Sequence, residues 1–445
     1  MKHWNRMKVL AGGMLLIVSL AGCGTVSGDD LYALPKQSDA YYDLQKAIDL
    51  TLPADASYTG PLTGSNQQAV QLADLTGDGH DEAIVFAKTS GAKPLKMYIF
   101  DRSSGSYENT AVIEGDGTAF DCVEYAQLDG VPGLEIVVGR QVSNQIAQSL
   151  GVYTYGGSSQ KELMSAVYSE FKVVDLDEND VKEVLVLRLE TEDRAGVAEL
   201  YHFQDGLMER YREAGLTMGI KQIKRITTGY VARGVPAVFV ASAVGENTTA
   251  TDILTFVGKD FCNLAANTNY SLAAQKIRNY PVYATDIDED GIVELPTPVA
   301  LPSLSAEEET QWIIQWYNMK TEGSRELKMT TYHNFAGGWY IELPQSWSEA
   351  LTVSREQKPG GAIGYAFSRW MGYDQKPEEL FTIYALTGGD RLQQATSHGR
   401  TLLAEKGETA YAVSMGTSKW VAYQNEEDIC AMFHFIDVDW DSGEI

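Results

Sequence analysis

The sequence predicts a mainly β protein, in which a β-propeller of about five four-stranded blades is followed by a smaller α+β C-terminal domain. Three acidic loops start 101 and 111 residues apart, and weaker copies between them give a repeat of about 50 residues, which is typical of a repeated structural unit. Short apolar runs flank the loops, and in a later run of the repeat residues such as Met97 and Ile99 alternate with the period of a strand. The chain of 445 residues is 44% hydrophobic, so it has enough apolar residues to form a core.

Residues 1–22 have the features of a secretory signal peptide. A positively charged start precedes an apolar run at residues 9–20, which is too short to span a bilayer comfortably. The sequence Leu20-Ala21-Gly22-Cys23 then resembles the lipobox of bacterial lipoproteins. This resemblance implies cleavage before Cys23, lipidation of its sulfur, and a lipid-anchored protein on the extracytoplasmic face of the cell membrane.

The repeats that predict the propeller occupy residues 41–336, after a small, polar and acidic tether at residues 23–40. In the third repeat, one apolar run precedes the acidic loop, a second follows it at residues 184–187, and a third lies at residues 198–203. Short runs of this kind, separated by turns, are typical of the strands of a propeller blade.

The fifth repeat departs from this pattern. Pro296 and Pro298 are expected to interrupt its second strand, because proline is poorly tolerated in a central strand. Its outer strands are predicted at residues 312–317 and 327–332.

Residues 337–445 are predicted to form a separate α+β domain, because the repeats stop near Gly337 and Gly338. Residues 380–385 have the pattern of a strand, and residues 392–405 are compatible with a helix that Gly399 weakens. This region resembles the C-terminal domains of other lipoproteins of Gram-positive bacteria, a resemblance that implies no known activity.

Three acidic loops carry oxygen-bearing side chains at positions 1, 3, 5 and 9, a spacing that lets a tight turn point these oxygens inward. Calcium prefers six to eight oxygen ligands, so the spacing indicates a calcium site. Position 6 favours glycine because the turn needs a positive φ, and Asp180 replaces glycine there in the third repeat. The candidate side chains are Asp74, Thr76, Asp78 and Glu82 in the first repeat, Asp175, Asp177, Asn179 and Glu183 in the third, and Asp286, Asp288, Asp290 and Glu294 in the fifth.

The segments DLTGDGHDEAIVFA and TDIDEDGIVEL resemble the calcium-binding hairpin of FG-GAP (VCBS-type) repeats, which form the β-propeller of integrin α subunits and of many bacterial surface proteins. The resemblance covers about residues 65–335, although the Phe-Gly and Gly-Ala-Pro signatures of the repeat are absent. It implies two or three structural Ca²⁺ sites, with the backbone carbonyls of His80, Val181 and Ile292 as further ligands.

The second repeat keeps only Asp129 and Glu135 of the ligand pattern and the fourth keeps none, so we expect no metal at either. The alternative for all three acidic loops is a solvated turn that binds no ion. Clustered carboxylates repel one another, which favours the ion-bound interpretation.

The net charge of -26 and the pI of about 4.6 argue against nucleic acid as a partner, because binding a phosphate backbone needs a basic surface. Cys122, Cys262 and Cys430 are far apart and lack a metal-binding spacing, so buried free thiols are expected rather than a disulfide framework or a zinc site.

No catalytic motif accompanies the histidines, and no nucleophile elbow or phosphate-binding loop is present in the sequence. The leading hypothesis is therefore a non-enzymatic surface protein whose calcium-stabilised propeller binds a protein or carbohydrate ligand. One alternative is an enzyme, or its accessory subunit, that acts on polysaccharide or cell wall through a carboxylate pair in the propeller channel. In another alternative the propeller is purely structural and the C-terminal domain binds the ligand.

Overall fold

The computed structural model describes residues 39–102, 105–142, 148–244, 248–266, 275–276, 282–303, 309–358, 361–418, 420 and 425–436. The predicted signal peptide, Cys23 and almost all of the tether lie outside these residues. No helix within the described ranges is long and apolar enough to cross a membrane. The first element is helix α1, Asp39–Thr51.

The described part of the chain is mainly β and forms six antiparallel sheets, which confirms the predicted class. Sheet 1 contains β1 (Ser57–Tyr58), β2 (Val70–Ala73), β3 (Glu82–Lys88), β4 (Leu95–Asp101) and β5 (Glu108–Gly115). Sheet 2 contains β6 (Ala119–Ala126), β7 (Glu135–Gln141), β8 (Gln148–Tyr155) and β9 (Gln160–Tyr168). Sheet 3 contains β10 (Glu170–Val174), β11 (Glu183–Arg188), β12 (Val197–Gln204) and β13 (Leu207–Gly215).

The next sheets continue in chain order. Sheet 4 contains β14 (Ile220–Ala232), β15 (Val235–Val244), β16 (Thr248–Val257), β17 (Asp260–Asn263) and β18 (Gln275–Lys276). Sheet 5 begins with β19 (Leu295–Ala300), β20 (Trp312–Met319), β21 (Arg325–Asn334) and β22 (Trp339–Leu343). Sheet 6 contains β23 (Leu351–Gln357), β24 (Ile363–Arg369), β25 (Glu378–Thr387), β26 (Thr401–Lys406) and β27 (Thr409–Met415). Helices α2 (Arg391–Ala395) and α3 (Glu426–Met432) follow β25 and β27, and β28 (Phe433–Phe435) joins β22 at the edge of sheet 5.

Consecutive sheets pack face to face, and a hydrophobic core lies between each pair. Between sheets 1 and 2, for example, Ile84 and Phe86 share a core with Val123 and Ile136. Similar cores join sheets 2 and 3, 3 and 4, 4 and 5, and 5 and 6. Because β3, β7 and β11 are covered on both faces, their sequences are almost continuously apolar.

The first face of this stack is covered by a helix. Ile84 points toward sheet 2, whereas Val85 and Tyr98 lie in a separate cluster with Ile48 of α1. Successive side chains of a strand point to opposite faces, so sheet 1 has sheet 2 on one face and α1 on the other. Within the described residues no core cluster joins sheet 1 to sheet 5 or 6, and no closed propeller is detected. The closed ring and its number of blades therefore stay predictions.

The expectation that Pro296 and Pro298 interrupt a strand of the fifth repeat is wrong. Both residues lie within a continuous strand, β19 of sheet 5. This strand is at the sheet edge, where proline is tolerated since one side makes no ladder hydrogen bonds. The segment before it contributes only an isolated bridge between Thr285 and Glu294. The predicted outer strands at residues 312–317 and 327–332 are confirmed as β20 and β21.

The predicted boundary at residues 336 and 337 falls inside sheet 5, because β22 pairs with β21 along its whole length. The C-terminal residues then form sheet 6 with two short helices. The expectation of a helix at residues 392–405 is wrong after Ala395: Gly399 has a φ of +73°, and Thr401–Lys406 forms β26.

The three cysteines within the described ranges are free thiols. Cys122 and Cys262 are partly buried, but Cys430 is exposed, so the expectation of buried thiols is wrong for Cys430.

Candidate metal sites in the acidic loops

The acidic loops lie between β2 and β3 of sheet 1, between β10 and β11 of sheet 3, and immediately before β19 of sheet 5. In each loop, a buried position-9 glutamate accepts a hydrogen bond from the backbone N–H of position 2 through its Oε2 atom. The distance from the backbone nitrogen to Oε2 is 2.7 Å from Leu75 to Glu82, 2.9 Å from Leu176 to Glu183, and 3.1 Å from Ile287 to Glu294. The glutamate therefore anchors the loop to the strand that follows.

The position-1 aspartate organises the turn in the same way in all three loops. Its Oδ2 atom accepts from the backbone N–H of position 6, at 3.0 Å for Asp74, 3.0 Å for Asp175 and 2.8 Å for Asp286. The φ values at position 6 are +86° for Gly79, +67° for Asp180 and +88° for Gly291. Position 6 thus has the expected left-handed backbone conformation in each loop. Asp180 adopts this conformation although it is not a glycine.

Two of the loops bring three carboxylates together. Among the residues that the structure describes, the groups that could hold a metal ion are Asp175, Asp177 and Glu183, and Asp286, Asp288 and Glu294. Within each group, one oxygen atom of every side chain lies within 4.8 Å of the others. These are positions 1, 3 and 9, so the local spacing that predicted the ligands also places them together.

The cluster of sheet 5 contains buried oxygen atoms that lack a hydrogen-bond partner. Glu294 is fully buried, and its Oε1 atom accepts no hydrogen bond. Oδ1 of Asp288 is also buried and unpartnered. Leaving a buried carboxylate oxygen unpaired is unfavourable, and a cation between these atoms would remove that cost. The donor set, which consists only of oxygen, fits a hard cation.

Burial and the neighbouring aspartates also affect the pKa of the position-9 glutamates. Burial raises the pKa of Glu183 and of Glu294 to about 7, against the opposing effect of the backbone N–H that each accepts, and the neighbouring aspartates raise it further. A bound cation would favour the ionised form instead, because it stabilises negative charge.

The loop of sheet 1 is built differently at position 3. Thr76 donates a hydrogen bond from its hydroxyl group to Oε1 of Glu82 at 3.2 Å, while Oε2 of Glu82 accepts from Leu75. Both oxygen atoms of this glutamate therefore have partners within the protein. Asp74, Asp78 and Glu82 do not form a three-carboxylate group of the kind seen in sheets 3 and 5. The ring of His80 is exposed, as expected for a residue that would offer only its carbonyl.

The position-5 residues cap the turn. Asp78, Asn179 and Asp290 each accept a hydrogen bond from the backbone N–H of position 7, at 2.8, 2.7 and 2.9 Å. Asp290, a predicted ligand, is not part of the cluster formed by Asp286, Asp288 and Glu294.

A lysine that the sequence analysis missed contacts the loop of sheet 5. The ammonium group of Lys328 lies 2.8 Å from Oδ2 of Asp288 and also pairs with Asp290. Lys328 is the extra residue of a β-bulge in β21, because Trp316 pairs with Met329 and Tyr317 with Leu327. Bulges redirect side chains, which explains how a strand residue reaches the loop. The hydrogen bond from Lys328 lowers the pKa of Asp290.

Backbone hydrogen bonds connect consecutive loops. The N–H of Leu134 donates to the carbonyl of Asp74 at 3.1 Å, and the N–H of Lys182 donates to the carbonyl of Gln127 at 3.0 Å. Both bonds join position 8 of one repeat to position 1 of the repeat before it. In sheets 4 and 5, the N–H of Val293 donates to the carbonyl of Tyr230 at 2.8 Å. The loops of sheets 1, 2 and 3 are thus linked in series, and the loop before β19 contacts β14 of sheet 4.

The second-repeat loop keeps the anchor but not the ligand set. Oε2 of Glu135 accepts from the backbone N–H of Leu128 at 2.8 Å, as in the acidic loops. Position 1 is Gln127, whose side chain accepts from Gly130. The hydrogen bond of the position-9 glutamate therefore has a structural role that does not depend on a metal site. A three-carboxylate cluster also needs aspartates at positions 1 and 3.

A carboxylate pair away from the loops was also missed. Asp121 on β6 accepts a hydrogen bond from the hydroxyl of Tyr168 at 2.6 Å. Burial raises the pKa of Glu170, the first residue of β10, to about 7, and the charge of Asp121 contributes. The two residues are distant in sequence, so no local motif could have revealed them.

The chain matches no protein-family model. A search of curated proteins gives no match either.

Proposed function

We propose that this protein is a lipid-anchored extracytoplasmic protein whose calcium-stabilised, propeller-type repeats act as a binding module. The observation that carries the proposal is the unpartnered, fully buried Oε1 atom of Glu294 beside Asp286 and Asp288. The cluster of Asp175, Asp177 and Glu183 repeats the same arrangement in sheet 3.

Calcium is the cation that we assign to both clusters. Their side chains offer oxygen atoms only, which suits calcium better than zinc or copper. The backbone carbonyls of Val181 and Ile292 would complete the ligand sets that the sequence predicts. Extracellular calcium modules bind with dissociation constants of about 0.1–1 mM, which is compatible with a structural ion outside the cell.

The loop of sheet 1 would bind calcium more weakly than the other two. Thr76 replaces a carboxylate at position 3, and its hydroxyl already pairs with Glu82. Two calcium ions are therefore the number that we propose for the repeats, and Asp74, Asp78 and the carbonyl of His80 would form a third site only at higher calcium concentration.

The role of the ions in this proposal is to order loops for binding rather than to catalyse a reaction. Loops of neighbouring sheets contact one another through the bonds from Leu134 and Lys182, so ordering one loop supports the next. A protein or carbohydrate would bind to the loops, and lipid at Cys23 would hold the module at the membrane. Nucleic acid is not proposed as a partner, because the chain has a net charge of -26.

Calorimetric titration with calcium of the chain from residue 24 onward tests the metal proposal. We expect two binding events and a higher melting temperature, because binding to the native state alone stabilises it. Glu183→Gln and Glu294→Gln should each remove one event. Asp129→Asn, which changes an acid in the second-repeat loop, is the matched control and should remove none. Absence of heat up to several millimolar calcium would contradict the proposal.

A second candidate function is favoured by the pair of Asp121 and Glu170. Glycoside hydrolysis uses two carboxyl groups, one of which is a general acid with a raised pKa. Burial raises the pKa of Glu170 to about 7, and the charge of Asp121 contributes. In this alternative Glu170 is the general acid and Asp121 the second carboxylate. Release of reducing sugar from cell-wall polysaccharide that disappears in Glu170→Gln would favour the enzyme, and no release by the wild-type protein would exclude that substrate.

A further inference from the structure

A cavity of about 1000 Å³ lies on the outer face of sheet 6, the face turned away from sheet 5. Val353 and Phe367 point into the core shared with sheet 5, whereas their neighbours Thr352 and Ser368 line the cavity. Successive side chains of a strand point to opposite faces, so sheet 6 separates the cavity from this core. Helix α2 packs on the other end of the same face. The volume is at the upper end of the range for small-molecule pockets, roughly 300–1,000 Å³.

Short side chains, most of which carry a hydroxyl group, form the floor of the cavity. They are Thr352 and Ser354 of β23 and Ala366 and Ser368 of β24. Their small size leaves a depression in the face of the sheet, and longer side chains line the rest of the cavity. These longer side chains are Glu356, Arg369, Lys376, Glu378, Glu379 and Trp420.

Ser368 offers a hydroxyl group that the described part of the chain leaves unused. The residue is only 8% exposed, yet its Oγ atom makes no hydrogen bond to a described residue. Unlike the enclosed and unpartnered hydroxyl of Ser242, this atom can be reached from the cavity. A hydroxyl group both donates and accepts hydrogen bonds, so a ligand group that does the same is a suitable partner.

Two carboxylates of the cavity keep acceptor positions for a ligand. Oε2 of Glu378 accepts a hydrogen bond from the hydroxyl of Ser418 at 3.2 Å, and Oε1 of Glu379 accepts one from Thr382 at 2.7 Å. Glu379 pairs with Ser368 across strands β24 and β25, so this carboxylate is next to the unused hydroxyl. An ionised carboxylate has about four acceptor positions, so both side chains can accept further O–H donors.

The charges around the cavity favour a neutral ligand. Glu356 already has a lysine partner. Two acidic residues, Glu378 and Glu379, and two basic residues, Arg369 and Lys376, remain, and no ion pair joins them within the described ranges. An anion would meet two carboxylates and a cation would meet two basic groups. A ligand rich in hydroxyl groups can form hydrogen bonds with both kinds of side chain.

Trp420 gives the cavity an apolar wall. Two neighbours hold its ring in place: the guanidinium carbon of Arg369 lies 5.4 Å from the ring centroid, and the centroid of the buried Trp347 ring lies 6.2 Å away. An aromatic wall beside several hydrogen-bonding groups suits a ligand with an apolar face and a polar rim. A sugar ring, which has C–H faces and hydroxyl groups at its edge, has this character.

We propose that this face of sheet 6 binds a neutral oligosaccharide. Sugar hydroxyl groups would pair with Ser368, Glu378 and Glu379, and a C–H face of a sugar ring would pack on Trp420. The site includes none of the three acidic loops, so it would remain if those loops bound no calcium.

Ligand-observed NMR on the purified full chain tests the proposal with four trisaccharides. Cellotriose, maltotriose and triacetylchitotriose are neutral, and trigalacturonate is an anion of similar size. We expect at least one neutral trisaccharide to bind, and trigalacturonate to bind no more tightly than that probe. No binding of any neutral probe at several millimolar, or tighter binding of the anion, would overturn the proposal.

Conservative variants locate the binding. Ser368→Ala, which removes one hydrogen-bonding group, should weaken binding about three- to tenfold. Ser414→Ala is its matched control, because Ser414 lies on the same face of sheet 6, pairs with Tyr384 and does not line the cavity. Glu379→Gln should weaken binding about tenfold, the loss of one charge-assisted contact, whereas Glu405→Gln, at an exposed position on β26, should not. Unchanged binding in either Ser368→Ala or Glu379→Gln would place the sugar elsewhere and overturn the assignment.

A chelator separates this site from the acidic loops. Binding of the sugar should be equal in calcium and in chelator, because sheet 6 contains none of the three loops. Loss of binding in chelator would place the sugar on the loops and would contradict a site on sheet 6. Failure of the calcium titration with sugar binding intact would instead contradict the metal sites alone.

Discussion

The ammonium nitrogen of Lys328 lies 2.8 Å from Oδ2 of Asp288, so a cation from the protein itself contacts the acidic loop of sheet 5. The corresponding cluster of Asp175, Asp177 and Glu183 has no such ion pair among the described residues. Ligand charge alone would make the fifth loop the tighter calcium site. Under the calcium binding that we propose, the lysine would reverse that expectation, because calcium and the ammonium group would compete for the same carboxylate.

The first prediction concerns this competition. Lys328→Gln should increase the calcium affinity of the fifth loop by about tenfold, since removal of a charge-assisted contact worth about 1.4 kcal/mol corresponds to that factor. Calorimetry on the variant measures the change. Lys320→Gln is the control, because Lys320 pairs with Glu326 in the same sheet, away from the loop. Equal affinities in Lys328→Gln and wild type would show that the lysine does not compete.

The second prediction concerns the backbone at position 6 of the third loop. Asp180 has a φ of +67°, a conformation that costs an L-residue about 1–2 kcal/mol and glycine little. Asp180→Gly should therefore raise the free energy of unfolding by up to about 1 kcal/mol, because aspartate tolerates this region better than most residues. Urea denaturation measures it. Lys182→Gly, in the same loop but without a positive φ, should bring no gain. A less stable Asp180→Gly variant would contradict the argument.

The third prediction concerns His333, which is buried beside Tyr340 with ring centroids 4.9 Å apart. Burial lowers the pKa of this histidine from 6.5 to about 3. The unfolded chain takes up a proton below pH 6.5 and the folded chain does not, so stability falls as the pH drops from 6.5 toward 3. The slope from this residue is about 1.4 kcal/mol per pH unit.

Denaturation curves at several pH values measure that slope. His333→Gln should remove it, whereas His398→Gln, which changes an exposed histidine, should leave it in place. A slope that persists in His333→Gln would have to come from other groups.

The fourth prediction concerns Glu170, whose effect on stability changes with pH in the opposite direction to that of His333. The pKa of Glu170 is raised from 4.5 to about 7, so the folded state holds a proton that the unfolded state has lost between these values. The stability that this residue contributes is present below pH 4.5 and is lost as the pH rises through 7.

Glu170→Gln should accordingly stabilise the protein at pH 8 by about 1–3 kcal/mol relative to its effect at pH 4. Paired melts of wild type and variant at the two values measure the difference. Glu209→Gln, at an exposed position, should show no such dependence on pH. The same small difference in both variants would mean that Glu170 ionises normally in the folded protein.

The acidic loops could be predicted because all the side chains that form each cluster lie within nine consecutive residues. Asp175, Asp177 and Glu183 are close in sequence, and a tight turn brings positions 1, 3 and 9 together whatever surrounds them. The left-handed position 6 follows from the same turn. The strands that follow the first and third loops, β3 and β11, could also be predicted, because each is a short and almost continuously apolar run next to a turn.

Features that depend on distant parts of the chain could not be predicted. Lys328 reaches Asp288 only through a bulge, which no sequence pattern marks. Thr76 was assigned as a weak ligand, but its hydroxyl pairs with Glu82 once the loop is folded. The proline residues of β19 were judged by the rule for central strands, and the position of a strand in its sheet is a tertiary property.

The helix α1 gives the stack of sheets a closed end. An array that grows by laying one apolar sheet face on the next has no intrinsic limit, and an uncovered terminal face would accept the sheet of another molecule. Ile48, packed on Val85 and Tyr98, occupies that face before a second molecule can. The same thirteen-residue helix therefore covers the terminal apolar face, which is no longer open to the sheet of another molecule.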